Sequence, residues 1–359
     1  MKKQLMNSVK LLGCGVLTMT FAHLSMADAV YTSGVTGNWE VSGNWTGATG
    51  ATGIPGSADT VIINGTDTNV TFDGSSWQYL VDNSLLTSGT TGEYRYNLYR
   101  QGTGAGTNTV TFDYGNANTM RTTNSSAQLV GSSSGSNNTL NHVSGNTIFE
   151  TNTFHIGEKS GSTGSLNITG GTLTIQRESA GNSLNVGVAG TGGLQISGGS
   201  FLTRAGATIG ENGTFSVQGS GVTEIGIGGS GSVDGRWIQS SGGLLDIGVD
   251  AGGLTKILVH DEGGSGTSAT FESGSLLGVE YLSGFSGLGT WTVLEVEGGT
   301  ITDNGLAFAG GVDTGIWSFN IDNSGANGIL TVTAIPEPGT FAMLAGCVAL
   351  AWIVVRRRS

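Results

Sequence analysis

The stretch Leu166-Asn167-Ile168-Thr169-Gly170-Gly171 returns 28 residues later as Leu194-Gln195-Ile196-Ser197-Gly198-Gly199. A looser copy, Phe215-Ser216-Val217-Gln218-Gly219, begins 21 residues after that. In each copy apolar and polar residues alternate before glycine, which is typical of a short strand that ends in a turn. Such units, about 20 to 30 residues long, predict a β-solenoid in which inward Leu, Ile and Val stack on the next turn.

Two further patterns extend the repeat in both directions. Val70-Thr71-Phe72-Asp73 recurs 40 residues on as Val110-Thr111-Phe112-Asp113. A β-branched residue followed by glycine marks successive units, and glycine is expected there because solenoid corners need positive φ or close backbone approach. The sequence has four such pairs: Ile156-Gly157, Val186-Gly187, Ile209-Gly210 and Ile247-Gly248.

The composition narrows the class of protein. Glycine supplies 65 of 359 residues, but only 3 prolines are present and glycine has no three-residue period, which excludes collagen. A hydrophobic content of 37% with 11% charged residues does not fit ordinary disorder. The formal net charge of −12 disfavours nucleic-acid binding. The fold class predicted is all-β.

We expect the body of the protein to have three parts. Residues 28–140 form an N-terminal cap with irregular first turns, residues 141–275 the Gly-rich solenoid repeats, and residues 276–334 a C-terminal β cap. A doubled Gly-Asn-Trp motif, ending at Trp39 and Trp45, belongs to the first cap.

The aromatic patch Tyr94–Tyr99, with Arg95 and Arg100, is expected to cover the open end of the solenoid. Capping is needed because an exposed terminal turn is an aggregation-prone edge. The strands of the second cap are expected to be longer and more aromatic than those of the middle: Trp291–Val296 and Trp317–Ile321.

Residues 1–27 fit a secretory signal peptide. Three lysines precede and adjoin an apolar stretch, Leu11–Phe21, and Ser25-Met26-Ala27 supplies small residues at a cleavage site after Ala27. Cleavage after Ala29 and an uncleaved anchor are the alternatives. Leu11-Leu12-Gly13-Cys14 is similar to a lipobox, but Lys10 directly precedes it, so lipidation is disfavoured. The only cysteines are Cys14 and Cys347, which leaves the body without disulfides.

The last 25 residues, 335–359, contain three features in order. Pro336-Glu337-Pro338 is followed by the apolar run Phe341–Val355 and then by Arg356, Arg357 and Arg358. The apolar run has 15 residues and would be about 22 Å long as a helix, which is short for a permanent transmembrane anchor. The arginines place its end on the cytoplasmic side by the positive-inside rule. We therefore expect a short transmembrane helix, and a plain tail anchor is the alternative.

This tail resembles the PEP-CTERM sorting signal of exported proteins in Gram-negative bacteria. The resemblance covers 335–359 and implies an exosortase-type sorting protease as partner, with Pro336, Glu337 and Pro338 as the sorting motif and Arg356, Arg357 and Arg358 as retention charges. It also implies an inner-membrane-tethered precursor and a mature form at the cell surface or in an extracellular matrix with exopolysaccharide as a partner. The repeats of the body resemble those of autotransporter passenger domains.

No cofactor and no metal site is predicted. His142, His155 and His260 have no second His or Cys at ligand spacing, so zinc is unsupported. Gly228–Asp234 is similar to a calcium-binding nonapeptide, but its aspartate is displaced by one residue and no tandem copy follows. Weak cation binding at Asp261-Glu262 or at Asp246 and Asp250 is less expected than solvated turn acids.

Two functions from different classes remain. Ladders of Ser, Thr and Asn on a solenoid favour a non-enzymatic structural or adhesive protein of the cell surface or matrix. The alternative is a carbohydrate-active β-helix enzyme, a polysaccharide lyase or glycoside hydrolase, because Glu295 and Glu297 alternate onto one strand face as a carboxylate pair requires. The same pair also suits the wet face of an edge strand. No catalytic residue is therefore assigned.

Overall fold

The structure is a computed structural model, and it describes residues 28–31, 36–49, 53–56, 59–63, 68–73, 93–96, 98–101, 104–115, 118–122, 127–176, 182–227, 235–260, 268–282, 285, 287–335, 346–350, 352–353 and 356. Within these residues the body is all-β and forms a β-solenoid, as the repeats predict. A single short 3₁₀ turn, Ser42–Asn44, interrupts the described strands of the body.

The strands follow one another in short segments separated by turns. The first part of the chain contains β1 Asp28–Tyr31, β2 Thr36–Asn38, β3 Trp45–Thr46, β4 Thr60–Ile63, β5 Thr68–Phe72, β6 Glu93–Tyr96, β7 Leu98–Gln101, β8 Gly106–Asp113, β9 Thr119–Thr122, β10 Gln128–Val130, β11 Ser136–Ser144 and β12 Asn146–Phe149. The middle contains β13 Phe154–Ile156, β14 Thr163–Ile168, β15 Thr172–Ile175, β16 Asn182–Val186, β17 Thr191–Ile196, β18 Ser200–Thr203, β19 Gly206–Ile209, β20 Gly213–Gln218, β21 Val222–Ile225, β22 Arg236–Gln239, β23 Leu244–Val249 and β24 Ile257–Val259. The last part contains β25 Ser268–Phe271, β26 Leu276–Tyr281, β27 Gly289–Val296, β28 Thr300–Asp303, β29 Ala307–Phe308, β30 Trp317–Asp322 and β31 Gly328–Ala334.

Every third strand along most of the chain belongs to the same sheet, so each turn contributes one strand to each of three parallel sheets. Sheet A runs β3-β1-β4-β7-β10-β13-β16-β19-β22-β25-β28. Sheet B runs β2-β5-β8-β11-β14-β17-β20-β23-β26-β29, and sheet C runs β6-β9-β12-β15-β18-β21-β24-β27-β31-β30. The chain is therefore a solenoid with a three-sided cross-section.

The interior is lined by columns of stacked apolar side chains. The sequence repeat sets the register, because Leu166 pairs with Leu194 and Leu194 pairs with Phe215. Ile168 and Ile196 form the next column, and both are fully buried. Alternating side chains of a strand point to opposite faces, so one face of every strand faces this core. The stacking predicted from the repeats is confirmed.

Large and small side chains alternate where a column would otherwise be overfilled. In sheet A, Trp237 pairs with Ala207 on one side and with Ala269 on the other, and all three are fully buried. The Trp237 ring also packs edge-on against Phe215 at 5.0 Å between ring centroids. The solenoid therefore accommodates an indole without widening its turns, since its neighbours leave room for it.

The corner between sheets A and B explains the Ile/Val-Gly pairs. Gly157 has φ +71°, and a Cβ at this position would lie 2.2 Å from the carbonyl oxygen of Thr191. Gly157 N donates to Val130 O at 2.8 Å, so the corner is bonded to the turn before it. Only glycine fits a left-handed backbone pressed this closely against the next turn.

The fourth Ile/Val-Gly pair does not belong to this column, which corrects the sequence analysis. The column passes from Ile156 through Val186 and Ile209 to Gln239. Ile247 lies instead in sheet B, paired with Val217. The fully buried Gln239 donates from Nε2 to Gly243 O at 2.8 Å and to Leu276 O at 2.7 Å. An amide thus bonds corner carbonyls from within the core.

The N-terminal end of the solenoid is closed by aromatic packing and an antiparallel strand. β3 pairs antiparallel with β1 at the end of sheet A. Trp39 is fully buried, Trp45 is 7% exposed, and their rings meet edge-on at 4.9 Å. Trp45 Nε1 donates to Trp39 O at 2.7 Å. The doubled Trp motif therefore packs against the first turns.

The aromatic patch is placed differently from the prediction. β6 is the terminal strand of sheet C, but β7 lies inside sheet A between β4 and β10. Tyr99 is consequently a fully buried core residue, 5.8 Å from the Phe149 ring, and does not cover an open end. Desolvation in this position raises the pKa of its phenol well above the ordinary value. The interpretation of Tyr99 as a cap residue is wrong.

The C-terminal end changes strand direction. β27 still pairs parallel with β24, but β31 pairs antiparallel with both β27 and β30. Of these strands, β27 contains Trp291 and β30 contains Trp317, whose ring centroid lies 4.6 Å from that of Tyr281, so the predicted aromatic segments are present. β27, with 8 residues, is longer than the strands of the middle, but β30, with 6, is no longer than β14. Parallel stacking in sheet C therefore stops at β27, and an antiparallel pair of strands follows it.

Only part of the predicted transmembrane helix lies within the described residues. Residues 346–350, 352–353 and 356 are helical, and Val348, Leu350, Trp352 and Ile353 are exposed. Arg356 lies over the Trp352 ring, with the guanidinium carbon 5.1 Å from the ring centroid. Among the described residues, no helix has the length and apolar content needed to cross a membrane.

Candidate functional surfaces

The outer face of sheet B bears two regular rows of uncharged side chains. Strand pairing joins each row without a break from β5 to β20. We call these two rows the polar ladder. The first row is Asn69, Thr109, Thr139, Ser165, Gly193 and Thr214, and the second is Thr71, Thr111, Asn141, Asn167, Gln195 and Ser216.

The ladder follows from the alternation seen in the sequence. Leu166 and Ile168 point inward, so Ser165 and Asn167 between them point outward. All ladder residues are at least partly accessible except Ser216, which is 6% exposed. Thr and Ser alternate with apolar residues in β8, β11 and β14, and β-branched Thr also favours the strand conformation. The predicted ladders of Ser, Thr and Asn are thus present on sheet B, and a shorter row on sheet C contains Thr119, Asn146, Thr172 and Ser200.

Hydrogen bonds connect the second row of the ladder from turn to turn. Asn167 Nδ2 donates to Asn141 Oδ1 at 2.9 Å, and Asn141 Nδ2 lies 3.5 Å from Thr111 Oγ1. Gln195 Nε2 donates to Gln218 Oε1 at 3.0 Å. These contacts fix the amide orientations, because each amide nitrogen is directed towards an oxygen of a neighbouring turn.

Acidic side chains lie at the borders of the ladder. Asp73 and Asp113 are exposed at the ends of β5 and β8, where Asn38 Nδ2 and Ser144 Oγ donate to them at 3.0 and 2.6 Å. Asp246 follows Ser216 in the second row, and Ser216 Oγ donates to it at 3.3 Å. Burial raises the pKa of Asp246, and the Ser216 hydrogen bond opposes that rise.

The outer face of sheet C differs from the ladder because it contains ion pairs. Arg121 Nη1 donates to Glu150 Oε1 at 2.5 Å and to Gln176 Oε1 at 3.0 Å. Three successive turns are joined by this guanidinium. The side chains of Arg121 and Glu150 are 19% and 35% exposed, so water screens the pair only in part.

The predicted carboxylate pair, Glu295 and Glu297, lies on the same face of sheet C. Glu295 forms an ion pair with Lys256 and accepts a hydrogen bond from Asn327 Nδ2 at 2.6 Å. The Lys256 hydrogen bond lowers the pKa of Glu295, burial opposes this, and the Asn327 bond adds to the lowering. Glu295 therefore stays ionised at neutral pH, with one carboxylate oxygen bonded to Lys256 and the other to Asn327.

Glu297 belongs to a neighbouring cluster around His260. His260 Nδ1 lies 3.0 Å from Glu297 Oε2, and His260 Nε2 lies 3.1 Å from Glu224 Oε2. Each ring nitrogen of His260 therefore faces one carboxylate oxygen. The cluster is partly exposed, with the His260 side chain at 16%.

The sequence identifies Glu295 in β27 and Glu297 directly after it, but it does not identify their partners. Lys256 precedes Glu295 by 39 residues, and Glu224 precedes His260 by 36. These separations are longer than the repeat that the sequence shows, because the connections after β21 and β23 lengthen one turn and those after β24 and β26 lengthen the next. No local motif joins them, and only the strand register brings them together.

The three body histidines occupy different environments. His142 is fully buried, in the sheet B column between Phe112 and Ile168, and its Nδ1 lies 2.9 Å from Gly170 O. Burial lowers the pKa of His142 to about 4, although the hydrogen bond to Gly170 has the smaller, opposite effect of raising it. Burial also lowers the pKa of His155, on the outer face of sheet A. Within the described residues no three His, Cys, Asp or Glu side chains are grouped to hold a metal ion.

The remaining sequence-predicted positions are mostly outside the described residues. This applies to Ala27, to Pro336, Glu337 and Pro338, to Arg357 and Arg358, and to the calcium-like segment Gly228–Asp234 with Asp261-Glu262. Asp250 is described, and its Oδ1 accepts from Gly252 N at 2.7 Å within a turn.

Comparisons with known proteins give the chain no family. No protein-family pattern matches it, and no characterised protein matches it significantly. The class that the fold and surfaces define is a β-solenoid whose sheet B bears an uncharged polar ladder over six strands and whose sheet C bears ion pairs.

Proposed function

We propose that the chain is an exported, non-catalytic structural or adhesive protein of the cell surface or of an exopolysaccharide matrix. The observation that carries the proposal is the polar ladder, which spans six strands of sheet B without a charged side chain. A rigid parallel sheet fixes such groups at regular spacing, and this suits adhesion to a repetitive surface better than chemistry at one point.

In this proposal the two ends of the chain act as targeting signals. The signal peptide exports the body, and the short transmembrane helix with its arginines holds the precursor at the inner membrane. An exosortase-type protease recognises Pro336, Glu337 and Pro338 and releases the body to the surface. The antiparallel segments around β3 and β30–β31 act as caps that keep the solenoid from stacking end to end.

The tail is tested by changing Pro336, Glu337 and Pro338 together to alanine in the native host. Loss of the motif should prevent recognition by the protease, because alanine replaces both prolines and the carboxylate, so the triple variant should accumulate as a full-length, membrane-bound form. Fractionation and mass spectrometry of the C-terminus measure this. The double variant Gly339→Ala/Thr340→Ala is the matched control and should be processed like wild type. Equal release of the triple variant would leave the tail as a plain anchor.

The second candidate function is a carbohydrate-active enzyme that uses Glu295 and Glu297. Its support is that both carboxylates face outward on sheet C beside Lys256 and His260. Lys256 forms an ion pair with Glu295, and His260 lies 3.0 Å from Glu297, so all four side chains have partners, which suits a structural role equally well. Turnover on a polysaccharide panel that disappears in Glu295→Gln/Glu297→Gln, with the fold retained, would overturn the non-catalytic proposal.

A further inference from the structure

We infer that the polar ladder binds an extended, neutral polysaccharide that lies along the solenoid axis, across the strands of sheet B. This inference rests on the proposed function and names its ligand class. It follows from three properties of the ladder: its repeat distance, its available hydroxyl groups and its lack of charge.

The repeat distance of the ladder is set by the sheet. Neighbouring strands lie about 4.8 Å apart, so the six positions of the first row span about 24 Å. This spacing is comparable with the length of one sugar unit in an extended β-linked chain. A glycan lying across the strands therefore presents successive sugars to equivalent positions, whereas one lying along a strand meets side chains only at every second residue.

The first row supplies hydroxyl groups for such a ligand. Thr109, Thr139 and Ser165 occupy paired positions on consecutive turns, and all three are partly exposed. Their hydroxyls make no side-chain hydrogen bond with any described residue, in contrast to the second row. Each hydroxyl donates one bond and accepts others, which matches the mixed donors and acceptors of sugar hydroxyls.

The second row keeps the surface rigid. Because Asn141 and Asn167 are bonded to each other, their amides hold one orientation before a ligand arrives. Ordering of flexible side chains weakens binding, so this prior arrangement favours affinity.

The charge of the protein favours a neutral ligand. Removing residues 1–27 and 336–359 takes away six basic groups and one acidic group, so the body has a formal charge of −17. The ladder contains no lysine or arginine, and the exposed Asp73 and Asp113 lie beside it. An anionic polymer would be repelled by this field and would find no cation in the two rows.

The inference is tested by binding of the purified full chain to cellulose, a neutral β-linked glucan, and to alginate, an anionic one. We expect retention on cellulose and none on alginate at low salt. Thr109→Val/Thr139→Val removes two hydroxyls of the first row and retains β-branched side chains suited to a strand. Losing two hydrogen bonds should weaken cellulose binding by about tenfold.

The matched control is Thr172→Val/Thr174→Val, the same change at outward positions of sheet C. It should bind cellulose like wild type, and circular dichroism should be unchanged in both variants. Stronger retention on alginate, equal weakening by both variants, or no binding to cellulose would each overturn the inference. Any of these results would leave the tail experiment unaffected, so failure here is distinguishable from failure of the proposed function.

Discussion

The inner lining and the outer surface of the solenoid are built from alternate residues of the same strands, yet they follow different rules. In β17, Leu194 and Ile196 are buried and continue columns of apolar residues, whereas Gly193 and Gln195 between them belong to the polar ladder. The lining accepts Leu, Ile or Phe at equivalent positions. The outer surface bears the uncharged polar ladder on sheet B from β5 to β20 and ion pairs on sheet C.

The comparison indicates where specificity lies in such a fold. Stacking in the lining requires apolar side chains whose combined volume fits the interior. An inner position therefore tolerates a change of apolar side chain but not a charged one. Outward positions contribute little to the core and are free to carry recognition chemistry. Sheets B and C of one backbone therefore present surfaces with different chemistry.

The largest effect should follow from placing a charge in the lining. Ile196→Asp buries an unpaired carboxylate at a fully buried position, and a cost of about 3 kcal/mol or more is expected. Because neighbouring turns depend on one another, we expect the middle turns to unfold together. Thermal melting and hydrogen exchange of residues 182–227 measure this effect.

Gln195→Asp is the matched control for that variant, since it places the same charge one residue away on the outer face. It removes the bond to Gln218 but leaves the carboxylate in water, so its melting curve should stay close to wild type. If the two variants melt alike, the assignment of inner and outer faces in β17 is wrong.

His142 is a titratable residue in the lining, and the dependence of stability on pH should show its effect. Its pKa falls from an ordinary 6.5 to about 4 in the folded protein because burial disfavours the imidazolium. The unfolded chain therefore takes up a proton as pH falls below 6.5, while the folded protein stays neutral until about pH 4. Stability is full above pH 6.5 and decreases by about 3 kcal/mol over this window.

His142→Leu should remove this part of the pH dependence, because leucine does not titrate and suits a column between Phe112 and Ile168. Denaturant unfolding at several pH values compares the variant with wild type. His155→Leu, on the outer face of sheet A, should change the slope less. Parallel stability curves for wild type and His142→Leu would show that this imidazole does not stay neutral in the fold.

The register of the lining could be predicted because local sequence repeats align the positions that stack on one another. Leu166, Leu194 and Phe215 align by sequence alone, and the structure pairs them. Ile247 does not belong to the corner column, because Ile247-Gly248 lies inside strand β23. The column continues instead through the polar Gln239. A buried glutamine that bonds corner carbonyls leaves no apolar signal.

The surfaces were predictable only in part, for a related reason. The outward Ser, Thr and Asn of each repeat predict ladders, but the sequence does not show on which sheets these residues lie. Glu295 and Glu297 share a face by strand alternation, which the sequence shows. Their partners Lys256 and His260 lie on another turn, and loops of unequal length separate the turns, so no fixed spacing identifies them.

The smallest effect is expected for the ion pairs of sheet C, which sharpen the contrast with the lining. Lys256→Gln removes the cation beside Glu295 while Asn327 still donates to that carboxylate. The Lys256 side chain is 42% exposed, so the variant should lose only about 0–1 kcal/mol of stability.

The pKa of Glu295 should rise towards its ordinary value in this variant, because the Lys256 hydrogen bond is the largest cause of its lowering. The lowered pKa stabilises the fold above the ordinary carboxyl pKa, and this contribution disappears as pH falls through the folded value. Wild type and variant should therefore differ at neutral pH and converge in acid, as measured by unfolding at both pH values. Added salt should shrink the neutral-pH difference, since a partly exposed pair is screened. A loss as large as that of Ile196→Asp would mean that this surface pair supports the fold as strongly as the lining does.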